Sequence, residues 1–156
     1  LYSHLGVETS FHKGGITIKK NNQVSTKLEF NLSDFPDLAL PYVVSCAGLG
    51  VEVYLSGLES LKIKESDRLV SIKKELSKFN VECEINDHSI YVPKNQLIKY
   101  NGMVIDDHND HRIPMSIAPL AIKTESNIFF KDSLVVNKSY PLFWDDLKKL
   151  GFNIVN

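Results

Sequence analysis

The sequence predicts an α/β fold of repeated β-α-β-α-β-β units, with buried helices surrounded by sheets. Three observations carry this expectation. Stretches that alternate apolar and polar residues, the period of a half-buried strand, recur between stretches of helical period. Two helical stretches, 35–47 and 112–123, are apolar on nearly every side and so belong in a core. The chain also resembles itself at a near-constant interval. Leu5-Gly6-Val7-Glu8 returns as Phe79-Asn80-Val81-Glu82 and again as Leu150-Gly151-Phe152-Asn153. Asp37 lies 74 residues before His111, and Lys64 lies 74 residues before Lys138. On this reading 1–20 is the tail of one unit, 21–93 a complete unit and 94–156 most of a third.

The elements follow in order. Residues 1–5 read as the closing turn of a helix, with Gly6 in the place of a C-terminal cap, so the chain is expected to start inside a unit of a longer one. Residues 7–12 and 15–20 predict a hairpin turning at Lys13-Gly14. The apolar helix 35–47 opens at Asp34-Phe35-Pro36-Asp37 and ends at Gly48 and Gly50. In 51–58, Val51, Val53 and Leu55 alternate with Glu52, Tyr54 and Ser56, a strand with one polar face. Leu69, Ile72, Leu76 and Phe79 form the apolar stripe of a helix whose other face carries Lys73, Lys74, Glu75 and Lys78. A second hairpin, 81–85 and 89–92, turns at Asn86-Asp87-His88. Short strands are expected at 103–105 and 127–131, an apolar helix kinked by Pro119 at 112–123, and an amphipathic helix at 140–150.

Composition narrows the function. The 156 residues are 43% hydrophobic and 24% charged, the balance of an ordinary globular domain or two small subdomains. A net charge of −1 leaves no basic excess for sequence-independent nucleic-acid binding. No apolar run approaches the roughly 20 residues of a membrane helix. Cys46 and Cys83 fit buried thiols in a reducing compartment better than a disulfide framework. There is no G-x-G-x-x-G or Walker A sequence. Of 18 basic residues only Arg68 and Arg112 are arginines. Arginine alone offers a planar fork for a carboxylate or phosphate, so these positions are the first candidates for chemistry.

Polar residues gather at three helix starts. Lys62-Ile63-Lys64-Glu65-Ser66-Asp67-Arg68-Leu69 precedes the amphipathic helix, and Lys64 and Arg68 would share a face if the helix had begun by Lys64. Asp106-Asp107-His108-Asn109-Asp110-His111-Arg112 precedes a buried helix and faces a cleft; it suits an anion site, a solvated loop or, less well with Arg112 present, a metal. Asn137-Lys138-Ser139-Tyr140-Pro141 precedes the last helix. Asp37 is a helix cap or an acid at a cleft.

These segments resemble the motifs of one family. K-I-K-E-S-D-R-L at 62–69 resembles the R-V-K-E-S/T-D-R-L motif of 3-phosphoshikimate 1-carboxyvinyltransferases, the EPSP synthases. Asn109-Asp110-His111-Arg112 is similar to their N-D-H-R, Phe35-Pro36-Asp37 to their I-P-D, and 137–141 to their R-K-[TS]-[FY]-P. The four motifs stand in the family's order over almost the whole chain. The resemblance implies part of the C-terminal lobe of a two-lobed, cytoplasmic, bacterial enzyme. That enzyme moves the enolpyruvyl group of phosphoenolpyruvate to the 5-hydroxyl of shikimate 3-phosphate and releases phosphate, in aromatic amino-acid biosynthesis. It implies no metal and no organic cofactor, two small-molecule substrates, and the other lobe as partner.

By the same resemblance Arg68 and Arg112 hold the carboxylate of phosphoenolpyruvate and Lys138 its phosphate. Asp37 and Lys64 bracket the shikimate hydroxyls, Asp37 being the base for the 5-hydroxyl. Glu65 exchanges a proton with the methylene carbon, and His111 orients the site. Ser60 stands where many members carry an asparagine that touches the shikimate phosphate ester, and Ile113-Pro114 replaces the commoner M-A. The rivals are the related transferase acting on UDP-N-acetylglucosamine, a noncatalytic anion- or phosphosugar-binding module, and a metal hydrolase using Asp106, Asp107, His108 and Asp110.

Overall fold

The computed structural model describes residues 1–155. After a single 3-10 turn at Tyr2–His4, Leu5–His12 (β1) and Gly15–Val24 (β2) form an antiparallel ribbon, a separate two-stranded sheet. Gly6, at φ +79°, sits at the irregularity between Leu5 and Val7. One face of the ribbon is apolar and open, with Phe11 79% and Ile18 68% exposed.

The second sheet has four strands in the order β3-β4-β6-β5: Lys27–Asn31 (β3), Glu52–Ser56 (β4), Glu84–Ile85 (β5) and Ser89–Val92 (β6). β3 and β4 are parallel, a pairing that needs a crossover, and Ala39–Leu49 (α1) supplies it. β6 is antiparallel to both β4 and β5. With Arg68–Ser77 (α2), residues 27–92 run β-α-β-α-β-β.

α1 is the centre of the core, burying Ala39, Leu40, Tyr42, Val43, Val44, Cys46 and Ala47. Gly48 lets it lie against the segment after the third helix, since a Cβ there would stand 3.1 Å from Leu120 Cδ2. β4 buries Val53 and Leu55 and leaves Glu52, Tyr54 and Ser56 half-exposed, the alternation of its sequence. Both cysteines are buried and free. No helix among the described residues is long and apolar enough to cross a membrane.

Arg112–Ile117 (α3) and Phe143–Lys149 (α4) follow. Between them Ile105 pairs in parallel with Phe130, and each lies 74 positions after a residue of the parallel pair Asn31–Ser56. The 3-10 segments Glu59–Ile63 and Leu134–Lys138, and the helices α2 and α4, stand at nearly the same interval.

Several expectations need correction. The helix expected at 35–47 is a 3-10 turn, Pro36–Leu38, and then α1, which runs on through Gly48 to Leu49 with Gly50 as its left-handed cap. Residues 112–123 are α-helical only to Ile117. Pro119 supplies no N–H for the α ladder, the chain tightens to 3-10 over Ala118–Lys123, and Ile122 is 73% exposed. The strands expected at 103–105 and 127–131 reduce to the Ile105–Phe130 bridge, and 81–85 to Glu84–Ile85. The last helix is shorter than 140–150. β3 was not among the expected strands. On α2, Glu75 and Lys78 are buried rather than on a solvent face, because residues 104–108 cover that side.

Candidate active site

Four segments converge, and each leaves the C-terminal side of a parallel-paired strand, the end at which open α/β sheets place ligands. Asp37 lies in the 3-10 turn after β3. Glu65 and Arg68 follow β4, Asp110–Arg112 follow Ile105, and Lys138 follows Phe130. The turn out of β4 requires glycine. Gly57 has φ +74°, and a Cβ would lie 2.5 Å from Asn31 Oδ1 and 2.7 Å from the Ser33 nitrogen. Asp67 then caps α2 by accepting the Val70 N–H at 3.2 Å, which makes Arg68 the first helical residue. Lys64 therefore lies ahead of the helix in extended backbone and does not share a helical face with Arg68.

Arg68 is the hub, 2% exposed. Its Nε and Nη2 donate to the two oxygens of Asp110 at 2.7 and 3.2 Å, Nη1 donates to Asp37 at 2.5 Å, and Nη2 also donates to Glu65 at 2.7 Å. Burial works against its charge, but the carboxylates of Asp110, Asp37 and Glu65 together outweigh that and raise its pKa. Asp110 is fully buried. Desolvation alone would raise its carboxyl, yet bonds from Arg68 and from the Arg112 backbone N–H hold it below the ordinary aspartate range.

Around this hub the outer groups are half-exposed. Asp37 Oδ2 lies 3.1 Å from Arg112 Nη2, so one carboxylate spans both arginines. Glu65 receives Lys138 Nζ at 3.3 Å as well as Arg68. Its own backbone N–H, then Arg68 and Lys138, hold its carboxyl below the usual glutamate value despite partial burial. Burial pushes the His111 imidazole below its ordinary value, favouring the neutral ring. Its Nδ1 lies 3.7 Å from Glu65 Oε1, too far for a hydrogen bond.

Two buried side-chain atoms among the described residues have no partner, His111 Nδ1 and Arg112 Nε, and both are here. Buried polar atoms are nearly always paired, so this is unspent hydrogen-bonding capacity. Three cations, Arg68, Arg112 and Lys138, face three acids, Asp37, Glu65 and Asp110, and the cluster is neutral without a ligand.

The structure thus gathers Asp37, Glu65, Arg68, His111, Arg112 and Lys138. Lys64 is exposed and Ser60 half-buried, and neither side chain hydrogen-bonds to the cluster. Asp110, weighed from the sequence only as a ligand in the metal-hydrolase alternative, and Ser66, whose Oγ donates to Asp110 at 3.2 Å, had no part in the expected substrate site. Asp110 could have been found as an acid two residues before an arginine at a helix start. The loop residues weighed as metal ligands have other partners: His108 pairs with Glu75, and Asp110 with Arg68.

Fold and site together define a class: an α/β lobe that carries paired arginines, a lysine and carboxylates beyond its strand ends, suited to an anionic substrate. The sequence model of the EPSP synthase (3-phosphoshikimate 1-carboxyvinyltransferase) family matches residues 4–147, and the chain belongs to that family. A 3-phosphoshikimate 1-carboxyvinyltransferase of Bacteroides fragilis is 39% identical over 99% of this chain, and one of Sulfurisphaera tokodaii 35% identical over 99%. The chain spans 38% and 36% of those relatives' lengths. The crystal structure of an EPSP synthase from Acinetobacter baumannii shares the fold, with TM-score 0.73 and 21% identity, over 92% of this chain and 35% of that one.

Proposed function

We propose that this chain supplies one side of an active site that transfers the enolpyruvyl group of phosphoenolpyruvate to the 5-hydroxyl of shikimate 3-phosphate. The observation that carries the reading is the unspent capacity of Arg112 Nε and His111 Nδ1 beside Lys138. A carboxylate–phosphate ligand offers oxygens for each of these groups.

Arg112, one third exposed, takes the substrate carboxylate, with Arg68 behind it as the buried group that fixes the acids. Lys138 takes the phosphate as a point charge. Lys64 and Ser60 face the shikimate side. Because the free cluster is neutral, an incoming anion displaces Asp37 from Arg112 and Glu65 from Lys138. Displacement leaves each carboxylate free to act. Asp37 accepts the 5-hydroxyl proton as the oxygen bonds to C2 of phosphoenolpyruvate, while Glu65, which takes up a proton once Lys138 has left it for the phosphate, passes that proton to the methylene carbon and makes it a methyl group. In the second half the C2–O bond to phosphate breaks as the leaving phosphate takes the proton held by Asp37, and Glu65 takes a proton back from the methyl carbon to restore the double bond. Positioned proton transfer of this kind contributes about 10²–10⁴ in rate. A cytoplasmic place in aromatic amino-acid biosynthesis and a second lobe completing the site belong to the same proposal.

The test is phosphate release in the intact protein, with each substrate omitted in turn. We expect release only with both substrates, and no release by the 156-residue chain on its own. Turnover by the isolated chain near about 10 s⁻¹, or release that depends on an added metal, would sink the proposal.

A further inference from the structure

A second buried network lies beside the site. Glu75 stands two helical turns from Arg68 on the same face of α2, and it is fully buried. Its carboxylate has three donors: Lys78 Nζ at 2.6 Å, the Asp106 backbone N–H at 3.1 Å, and His108 Nε2 at 2.9 Å. Lys78 also donates to the Val104 carbonyl at 2.8 Å. α2 therefore grips the loop before α3 at both ends, with Arg68 on Asp110 and Glu75 with Lys78 on 104–108.

What is gripped is strained. His108 and Asn109 are consecutive non-glycine residues in left-handed backbone, φ +55° and +56°. Left-handed backbone is uncommon for residues other than glycine, even for Asn and His, which tolerate it best, and two such residues in succession point to surroundings that impose the turn. Asp106 accepts the His108 N–H at 2.9 Å, Asp107 the Asn109 N–H at 2.7 Å, and Asp110 the Arg112 N–H at 3.0 Å. The turn is thus passed along the backbone to the residue whose Nε is unpaired.

We propose that Glu75, through Lys78 and His108, is a positioning residue for the anion-binding end of this loop, setting the aim of His111 and Arg112. The inference rests on the enolpyruvyl-transfer reading for its kinetic form, but not for its structural one. His108→Ala removes one arm and leaves Glu75 paired with Lys78. The paired variant Glu75→Gln/Lys78→Met removes both buried charges together, so neither is stranded. His108→Gln restores an N–H able to reach Glu75.

In the intact protein we expect His108→Ala and the paired variant to raise KM for phosphoenolpyruvate at least tenfold. KM for shikimate 3-phosphate should stay within twofold. Hydrogen exchange at the Arg112 amide should accelerate at least tenfold, and His108→Gln should return both quantities to within threefold of the parent. A role in stability alone would lower the folded fraction and the maximal rate with both KM values unchanged, and that result overturns the proposal. If the paired variant does not fold, His108→Ala decides. If the parent shows no enolpyruvyl transfer, the functional reading fails on its own. The exchange rate then decides the positioning role, an unchanged rate overturning it.

Discussion

Arg68 is enclosed by Asp37, Glu65 and Asp110, whereas Arg112 keeps part of its side chain in solvent and one buried nitrogen unpaired. The two arginines should therefore respond differently to substitution. Arg112→Lys keeps the charge but cannot span two carboxylate oxygens, and the loss of one charge-assisted bond, about 1.5–3 kcal/mol, corresponds to a roughly 10–150-fold fall in kcat/KM for phosphoenolpyruvate at about 1.4 kcal/mol per decade. Arg68→Met strands three acids around an apolar side chain and should cost about 3–5 kcal/mol in urea unfolding. Equal effects of the two substitutions would contradict the division of labour. Asp37→Asn should reduce turnover by about 10²–10⁴ without raising KM for phosphoenolpyruvate, because the carboxylate that competes for Arg112 is gone. A turnover loss under tenfold would make Asp37 only a helix-start residue. Asp110 gives the pH dependence. Its folded pKa is depressed, so its contribution is present above the ordinary aspartate value of 3.8 and is lost as pH falls through the lower folded value. Urea midpoints should drop steeply below about pH 4 in the parent and more shallowly in Asp110→Asn; parallel curves would refute the assignment.

At the level of elements, Gly57 in the turn after β4 and Gly48 near the end of α1 separate backbone need from packing need. Gly57→Ala forces a Cβ into Asn31 and Ser33 at positive φ and should destabilise by more than about 2 kcal/mol. Gly48→Ala meets only the end of the Leu120 side chain and gains up to about 1 kcal/mol of helix propensity, so its net effect should be small. Matching unfolding midpoints for the two variants would show that the turn after β4 is not constrained as described. The elements also mark where sequence reading stops. α1 was legible because its residues are apolar all round, and β4 because it alternates. Glu75 was not: an amphipathic wheel counts charge, and the loop that covers it arrives about thirty residues later in the chain. β3 was missed although Leu28 and Phe30 alternate with Lys27, Glu29 and Asn31, a signal of only five residues whose pairing is supplied by β4. The short strands of the last segment failed similarly, since an apolar run does not reveal whether a partner lies alongside.

At the scale of the whole molecule, the site was legible in outline because its residues sit in compact motifs at helix starts, which are local features. The hub was not legible. Arg68 reaches Asp110 and Asp37 across 42 and 31 positions, and only the docking of the two β-α-β layers makes it a buried centre rather than an open fork. The β1–β2 ribbon stands apart from this dense region. A two-stranded ribbon leaves both outer edges unpaired, and Phe11, Ile16 and Ile18 share its open face, while Glu8 and Lys19 pair on the other. Its consequence is colloidal. As an isolated polypeptide the chain should self-associate through this ribbon at concentrations where its core is fully folded. Ile18→Lys would charge the apolar face and leave the core untouched. By light scattering it should stay monodisperse at several times the parent's limiting concentration, with an unfolding free energy changed by no more than about 0.5 kcal/mol. An unchanged solubility limit would place the sticky surface elsewhere.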